Sequence, residues 1–371
     1  VKIALYEMTV TVSYGGIQTS YWETAKRLAS RGHEVHIYGG EGGIRWEMPE
    51  GVRILTFPFI ARNRFPDLGS RFRKFSERLS FARSALAPLI DNRYDVLYIR
   101  KSFEMPVTAY VRRKTGAKVV FRSGGTEFYP GYGYFARRLD AFLACSRHNA
   151  MQLRRYCGRE PEVLHNGVDT ERFSPRKKSG QMMGRLGLRD DDFIVMTVGR
   201  LVGWKGVQVG IEALSRLTEK KVRYVIVGDG EYRAELDRRA RAESVEDRVI
   251  FTGAVDTKEM PDIYSVADVV LFPTIGDDDA FPNTLCEAMA CGKPAIGTRK
   301  GGIPEGIEER ETGFVVPARD AYAIVEALKV LICDPTLRES MGTCARARSV
   351  EHFSWDVIVE RLEEIFHGLR K

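Results

Sequence analysis

Residues 271–307 read LFPTIGDDDAFPNTLCEAMACGKPAIGTRKGGIPEGI. The apolar run Val269–Phe272 halts at Pro273, the pattern of a buried strand. A polar loop, Thr274–Asp279, follows. Pro282 and Asn283 then open a helix, because proline fits a first turn and asparagine accepts early backbone N–H groups. Leu285, Ala288 and Met289 give this helix an apolar face, Gly292 ends it, and Pro294–Ile296 begin the next strand. Strand, loop, helix, strand is the unit of a parallel α/β sheet. Two carboxylates stand out, Asp279 in the loop and Glu287 inside the helix. Between them lie the free N–H groups of a helix N-terminus, an anion site. A sugar, a diphosphate and a ribose in a row match that layout. The plainer reading is a solvated loop acid and a helix-surface acid, and spacing alone does not choose between them.

The same rhythm runs outward in both directions. Lys2–Tyr6 is a strand, Gly15-Gly16 a turn, the stretch to Arg31 a helix and Glu34–Tyr38 a second strand, so the chain opens on a βαβ unit whose glycines let backbone approach a phosphate. Neither GxGxxG nor GxxxxGK[ST] occurs, which argues against a typical dehydrogenase or P-loop enzyme. Further strands are expected at Val52–Phe57, Asp95–Arg100, Ala117–Arg122, Phe142–Cys145 and Glu162–Leu164. The loop Ser123–Phe128 sits at a strand's carboxyl end, where ligands collect in open α/β sheets; Glu127 there faces either an acceptor or solvent. Arg62–Arg83 reads as a basic helix with Phe65, Phe72, Phe75, Leu79 and Phe81 among Arg64, Arg71, Arg73, Lys74, Arg78 and Arg83. It either lies on an anionic membrane surface or turns its phenylalanines to the core and its arginines to water. Turn signals and a charged run place a domain boundary between Gly167 and Ser179, with the triplet Asp190–Asp192 solvated. Beyond it come strands at Phe193–Val198, Val222–Val227 and Val249–Thr252. Gly199, Arg200 and Lys205 lie in a strand-to-helix loop, where a guanidinium and an ammonium suit a diphosphate. Pro335–Lys371 is largely helical, with a break near Phe353 and Trp355.

The stretch Asp279–Glu287 resembles the acid-x7-Glu signature of retaining GT-B glycosyltransferases, the GT4-type (group 1) family that includes sucrose synthases and bacterial mannosyltransferases. Gly15-Gly16, Asn166–Asp169, Gly199-Arg200 with Lys205-Gly206, Gly228–Gly230 and Gly301–Glu305 match in order over nearly the whole chain. The resemblance implies an α/β GT-B fold: two facing Rossmann-like, doubly wound domains with the site in the inter-domain cleft. The expected division is an acceptor domain over residues 1–170, a donor domain over 171–350, and a last helix, 351–371, that crosses back to the first domain. Val357, Val359, Leu362, Ile365 and Phe366 supply its packing face.

The implied activity is sugar transfer from a UDP- or GDP-sugar to a glycan, glycolipid or small-molecule acceptor, with retention at the anomeric carbon. Arg200 and Lys205 would stabilise the departing diphosphate with N–H groups near Gly16 and Asn283, Thr284 and Leu285. Pro282 sets that helix start. Glu287 would accept the ribose hydroxyls. Asp279 would accept sugar hydroxyls, helped by N–H groups of Ala280 and Phe281. Backbone at Val255 would touch the base, with Gly15 and Gly199 lining the donor site. The family histidine near the transferred sugar is absent; Ser123 or Gly124 holds its position, with Glu127 beside the acceptor. Asp277–Asp279 as a metal-binding DxD is the lesser reading, because Arg, Lys and a helix terminus already neutralise phosphate. No cofactor and no metal are therefore expected. Two rivals stay open, a GT-B nucleotide-sugar epimerase and a non-catalytic nucleotide-sugar-binding protein; acceptor-dependent release of UDP or GDP separates transfer from both.

Composition agrees with an ordinary globular chain of 371 residues, 44% hydrophobic and 29% charged, long enough for two domains. Residues 1–167 carry 27 Lys/Arg against 15 Asp/Glu and the remainder 30 against 35, so the first half suits an anionic partner. No nucleic-acid recognition module is visible and none is expected to bind. The six cysteines lack CxxC pairs and are expected as small buried hydrophobes in a reducing compartment. No apolar run reaches a membrane-spanning length and no leader pattern precedes the first strand. A cytoplasmic location is expected, with a peripheral position at the inner membrane face if the basic helix binds lipid.

Overall fold

In the computed structural model, which describes residues 1–13, 15–44, 48–125 and 127–369, the short apolar runs become two parallel sheets. The first takes β1 (Lys2–Tyr6), β2 (Glu34–Gly40), β3 (Val52–Phe57), β4 (Val96–Ile99), β5 (Lys118–Arg122), β6 (Ala141–Ala144) and β7 (Glu162–Val163). Its order is β3-β2-β1-β4-β5-β6-β7. The second takes β8 (Phe193–Val198), β9 (Val222–Val227), β10 (Val249–Gly253), β11 (Val269–Phe272), β12 (Ala295–Thr298) and β13 (Gly313–Val316), in the order β10-β9-β8-β11-β12-β13. The chain divides into two compact units, Val1–His165 with Trp355–Lys371, and Asn166–Ser354. Asn166 and Val168 bond inside the second unit, to the carbonyls of Phe281 and Phe353.

Strands buried on both faces explain why these runs are apolar at every position rather than at alternate ones. Along β1, Ile3 and Leu5 enter one core layer while Ala4 and Tyr6 enter the other; β4 splits Val96 and Tyr98 from Leu97 and Ile99 in the same way, the period of two that a strand imposes. Helix α1 (Gly16–Ser30) covers one face through Tyr21, Ala25 and Leu28. The terminal helix Trp355–Gly368 joins that layer through Trp355, Ile358, Val359, Leu362 and Phe366. Val357, expected on its packing face, is exposed; Ile358 holds that place. In the second unit Val195, Ile226, Leu271 and Ile296 meet the apolar faces of the flanking helices.

Four expectations change. The helix read over Arg62–Arg83 is a single turn, Arg62–Arg64, followed by α2 (Ser70–Asp91). Pro66 disfavours helical backbone at Phe65, which is extended, and Gly69 adopts φ +94° at the true helix start. The reading with phenylalanines in the core and arginines in water does not hold throughout: Phe81 is buried but so is Arg78, whereas Phe72, Phe75 and Leu79 face water. Asp192 of the supposedly solvated triplet is buried and accepts from Arg189 N–H and Arg223 Nε. Cys333 and Cys344 are exposed, unlike the other four cysteines. No helix among the described residues is long and apolar enough to cross a membrane.

Candidate active site

Strand order alone marks where a ligand belongs. In each sheet the order reverses beside the first strand, between β1 and β4 and between β8 and β11, and the loops leaving the carboxyl ends of such neighbours splay into a crevice. In the second unit those loops carry Lys205 and Asp279. Lys205 ends the short turn Gly203–Lys205 after β8, and its Nζ lies 2.8 Å from Asp279 Oδ2 in the loop after β11. Thr274 Oγ donates to the same oxygen at 3.0 Å. Among the described residues Oδ1 of Asp279 accepts no hydrogen bond.

Two glycines make this approach possible. Gly206 has φ +73°, and a Cβ there would sit 1.9 Å from the Pro273 carbonyl oxygen; Gly301, φ +56°, would place one 2.0 Å from the Asp279 carbonyl oxygen. The loops are stitched further by Ile275 and Gly276 N–H groups on the Trp204 carbonyl and by Gly302 N–H on that of Asp279. Lys205 and Asp279, which the resemblance assigns to the diphosphate and the sugar, are thus direct partners.

The helix Asn283–Ala290 starts just beyond, with Pro282 at its cap position and Leu285 N–H already bonded to the Pro282 carbonyl. Its first two N–H groups, on Asn283 and Thr284, are those that a helix leaves without internal partners. Ala280 N–H, expected to face the ligand, is instead taken by the Asp278 carbonyl at 3.0 Å. The tight turn of the aspartate triplet consumes it. Phe281 is buried against Phe353, and its carbonyl receives Asn166 Nδ2 at 2.8 Å. Glu287, one turn into the helix, is half-buried and accepts from Tyr264 O–H at 2.9 Å. Burial pushes its carboxyl above the usual value, with the Tyr264 hydrogen bond and then Arg172 opposing. Asp277 pairs with Lys300 at 3.1 Å while Asp279 pairs with Lys205, so two carboxylates of the triplet are held by different lysines. Arg200 is exposed at the end of β8, and Val255, half-buried, follows β10; no hydrogen bond joins either side chain to the Lys205–Asp279 pair among the described residues. Gly199 precedes Arg200, and its carbonyl lies against Gly228.

In the first unit the β1 and β4 loops do the same with different residues. Gly15 caps α1 and Gly16 is its first residue. Gln18, buried in that first turn, donates to Thr9 Oγ at 2.6 Å and to Ser13 Oγ at 3.2 Å. A cavity of about 230 Å³ is lined by Arg100, Lys101, Ser102, Gly124, Glu127 and Tyr132, among others. Gly124 and Glu127, acceptor-side candidates, both line it. Ser123 does not line it: its hydroxyl closes on its own loop, donating to the Gly125 carbonyl at 2.6 Å. Thr126 lies outside the described residues. Glu127 accepts from Lys74 at 2.9 Å. Burial opposes its ionisation, but Lys101 and then Lys74 outweigh that and hold it below the ordinary value.

Beneath this cavity Arg78 Nη1 donates to Glu7 at 2.9 Å and to Glu104 at 2.5 Å, all three buried. Thr274, Tyr264, Asn166 and this arginine were missed as site-supporting residues. Tyr264, Asn166 and Arg78 each come from a different element than the group they support, so no local spacing announces them; Thr274 lies in the loop of Asp279 itself, five residues before it.

Two family models divide the chain between them: "Glycosyltransferase Family 4" matches residues 14–172 and "Glycosyl transferases group 1" residues 180–348. A D-inositol 3-phosphate glycosyltransferase of Xylanimonas cellulosilytica is 30% identical over 95% of this chain and 91% of its own. The chain belongs to the group 1, family 4 glycosyltransferases. A GDP-mannose-dependent phosphatidylinositol monomannoside mannosyltransferase of Mycolicibacterium smegmatis is 28% identical to this glycosyltransferase over 96% of both chains. Among solved structures, sucrose-phosphate synthase of Thermosynechococcus elongatus superposes with a TM-score of 0.83 at 21% identity, covering 99% of this chain and 98% of the other. Anabaena HepE, in complex with UDP and glucose, gives 0.79 at 20% identity over 99% of each. The fold of this glycosyltransferase is GT-B.

Proposed function

We propose that this glycosyltransferase moves a hexose from a nucleoside-diphosphate sugar, UDP- or GDP-linked, to a glycan or lipid-linked acceptor with retention at the anomeric carbon. The observation that carries the reading is the Lys205–Asp279 pair at the β8/β11 crossover, set beside the start of the Asn283–Ala290 helix with Glu287 a turn further in. An ammonium and outward N–H groups suit a diphosphate, and a carboxylate at each end suits hydroxyls. Arg200, exposed and able to swing, adds a second cation for the leaving group. The relative named for GDP-mannose supports the same donor class. No protein nucleophile is assigned. Transfer on one face, with leaving group and incoming hydroxyl held together, needs only positioning and charge stabilisation.

The decisive experiment offers candidate UDP- and GDP-sugars with and without acceptor and follows nucleoside diphosphate release. Release that depends on acceptor supports the reading, and epimerised donor or binding without turnover defeats it. The product anomer read by NMR tests retention. Lys205, Arg200 and the helix terminus supply the phosphate's counter-charge, so transfer is expected to continue undiminished in excess EDTA; loss that magnesium restores would return the Asp277–Asp279 triplet to a metal role. Glu287→Gln is expected to raise the donor KM about ten- to a hundredfold, the worth of a hydrogen bond to a charged acceptor, with a smaller effect on kcat. An unchanged donor KM would remove Glu287 from the ribose site. The enzyme is placed in the cytoplasm by this reading, at the inner membrane face when its acceptor is a lipid.

A further inference from the structure

The first unit holds an apolar groove of about 960 Å³. It runs along α2 and α3 (Met105–Thr115) under the segment that follows β3, lined by Phe59, Ile60, Phe65, Leu79, Val107 and Tyr110, among others. Leu79 is 58% exposed, Ile60 48% and Tyr110 41%, so the groove leaves large apolar side chains in water, a cost that a folded chain seldom carries without an occupant. Among the described residues lining it there is no carboxylate and one charged group, Arg83. Lys114 stands 5.7 Å over the Tyr110 ring at the other side, and the exposed Arg71 lies on the first turn of α2. Glu77, next to Ser76, also stands at this edge, its carboxylate accepting from Arg62 N–H at 2.9 Å, so the trough itself matches a hydrocarbon chain, and the Arg100 and Lys101 of the neighbouring cavity match a negative head.

The groove is continuous in sequence with the polar cavity described above. Lys101 and Ser102 line the cavity, and the turn Ser102–Glu104 passes directly into α3, whose Pro106 and Val107 line the groove. On α2, Lys74 bonds Glu127 in the cavity wall while Ser76 and Leu79, within the next turn and a half, face the groove. The same two elements therefore present a small polar hollow and a long apolar one.

We propose that the groove seats the hydrocarbon chain of the acceptor, an anionic lipid whose polar headgroup enters the Arg100–Glu127 cavity. This rests on the transferase reading and deepens it by naming the acceptor class. The headgroup meets Lys101, Ser102 and Glu127, and the chain follows α2 past Ser76 and Leu79.

The test titrates the whole protein with octyl, decyl and dodecyl phosphate as monomers, followed by calorimetry. Binding is expected to tighten by up to about fourfold for each methylene added, the limit for full burial. Ser76→Trp and Val107→Trp, which fill the groove without altering charge, are expected to weaken dodecyl phosphate at least tenfold. Leu79→Asp, at a side chain already in water, gives a variant with little folding cost and should do the same. Affinity that ignores chain length, filled variants that bind as before, or uptake on phosphatidylglycerol vesicles with none of the monomers would each overturn the proposal. So would concentration-dependent dimerisation that the tryptophans abolish, since a second copy would then be the occupant. A thermal shift with donor sugar, a property of the second unit, reports separately: its absence would sink the transferase reading while leaving chain binding as measured.

Discussion

Lys205→Ala is expected to cut the rate of sugar transfer about a hundred- to a thousandfold, the usual consequence of removing one preorganised donor to developing charge. The argument is geometric. Lys205 is fixed by Asp279 at 2.8 Å and flanked by Gly206, whose backbone presses on Pro273. The ammonium is thus aimed before any donor arrives and spends nothing on reorganisation. Its alternative role is purely structural, holding the β8 and β11 loops together. Asp279→Asn distinguishes the two, because it weakens the pair yet leaves the ammonium. If Lys205 only tethers loops, both variants should lose thermal stability together and activity alike. If Lys205 stabilises the leaving diphosphate, its alanine variant should lose far more in kcat than in melting temperature. Lys205→Arg is not a rescue, since a planar fork does not reproduce a compact ammonium. A Lys205→Ala enzyme with near-normal turnover would refute the assignment of this loop.

The second large effect concerns stability. Arg78→Ala is expected to cost about 3–5 kcal/mol, the penalty for leaving charge buried without its partner, read as a fall in the urea midpoint. One guanidinium serves two carboxylates here, and they respond in opposite directions. Burial, then the neighbouring Glu7, pushes Glu104 well above the ordinary carboxyl range against the pull of Arg78. For Glu7 burial also acts upward, but Arg78 and then the Thr9 N–H prevail and hold it low. The signs follow by linkage. Folded Glu104 keeps a proton that the unfolded chain has released, so its contribution declines as pH rises from its unfolded value toward the folded one. The contribution of Glu7 is present above its unfolded value and declines as pH falls below it. Glu104→Gln, which mimics the protonated acid, should therefore fold nearly as well as the parent and lose that decline on the alkaline side. Glu7→Gln should cost more at neutral pH. Urea melts across a pH series check both, and a Glu104→Gln protein as damaged as Arg78→Ala would refute a protonated Glu104.

The architecture was legible because strands buried on both faces leave unbroken apolar runs, and Phe193–Val198, Val222–Val227 and Val52–Phe57 appear with the bounds the runs imply. The approach of the β8 and β11 loops was legible for a related reason: glycines such as Gly206 and Gly301 mark where such loops touch. What escaped was the partner of each group. Nothing around Ala280 tells that its N–H is spent on Asp278, because that depends on how tightly one turn closes. Ser123 looked like a cavity residue by position, yet a hydroxyl that can reach its own loop carbonyl takes that bond first. Arg78, amid a run of solvated arginines, gave no sign of its burial, since Glu7 and Glu104 reach it from other elements. Pro66 and Gly69 did announce the late start of α2, and the charge pattern around them masked it.

The helix Trp355–Gly368 belongs to the first unit although nearly two hundred residues of the second unit precede it. Trp355, Ile358, Leu362 and Phe366 complete an apolar layer begun by Ile3, Leu5 and Val35. During synthesis that layer stands uncovered until Phe366 has emerged from the ribosome. A chain cut after Ser354 would hold a finished second half and a sticky, unfinished first half, a natural client for chaperones.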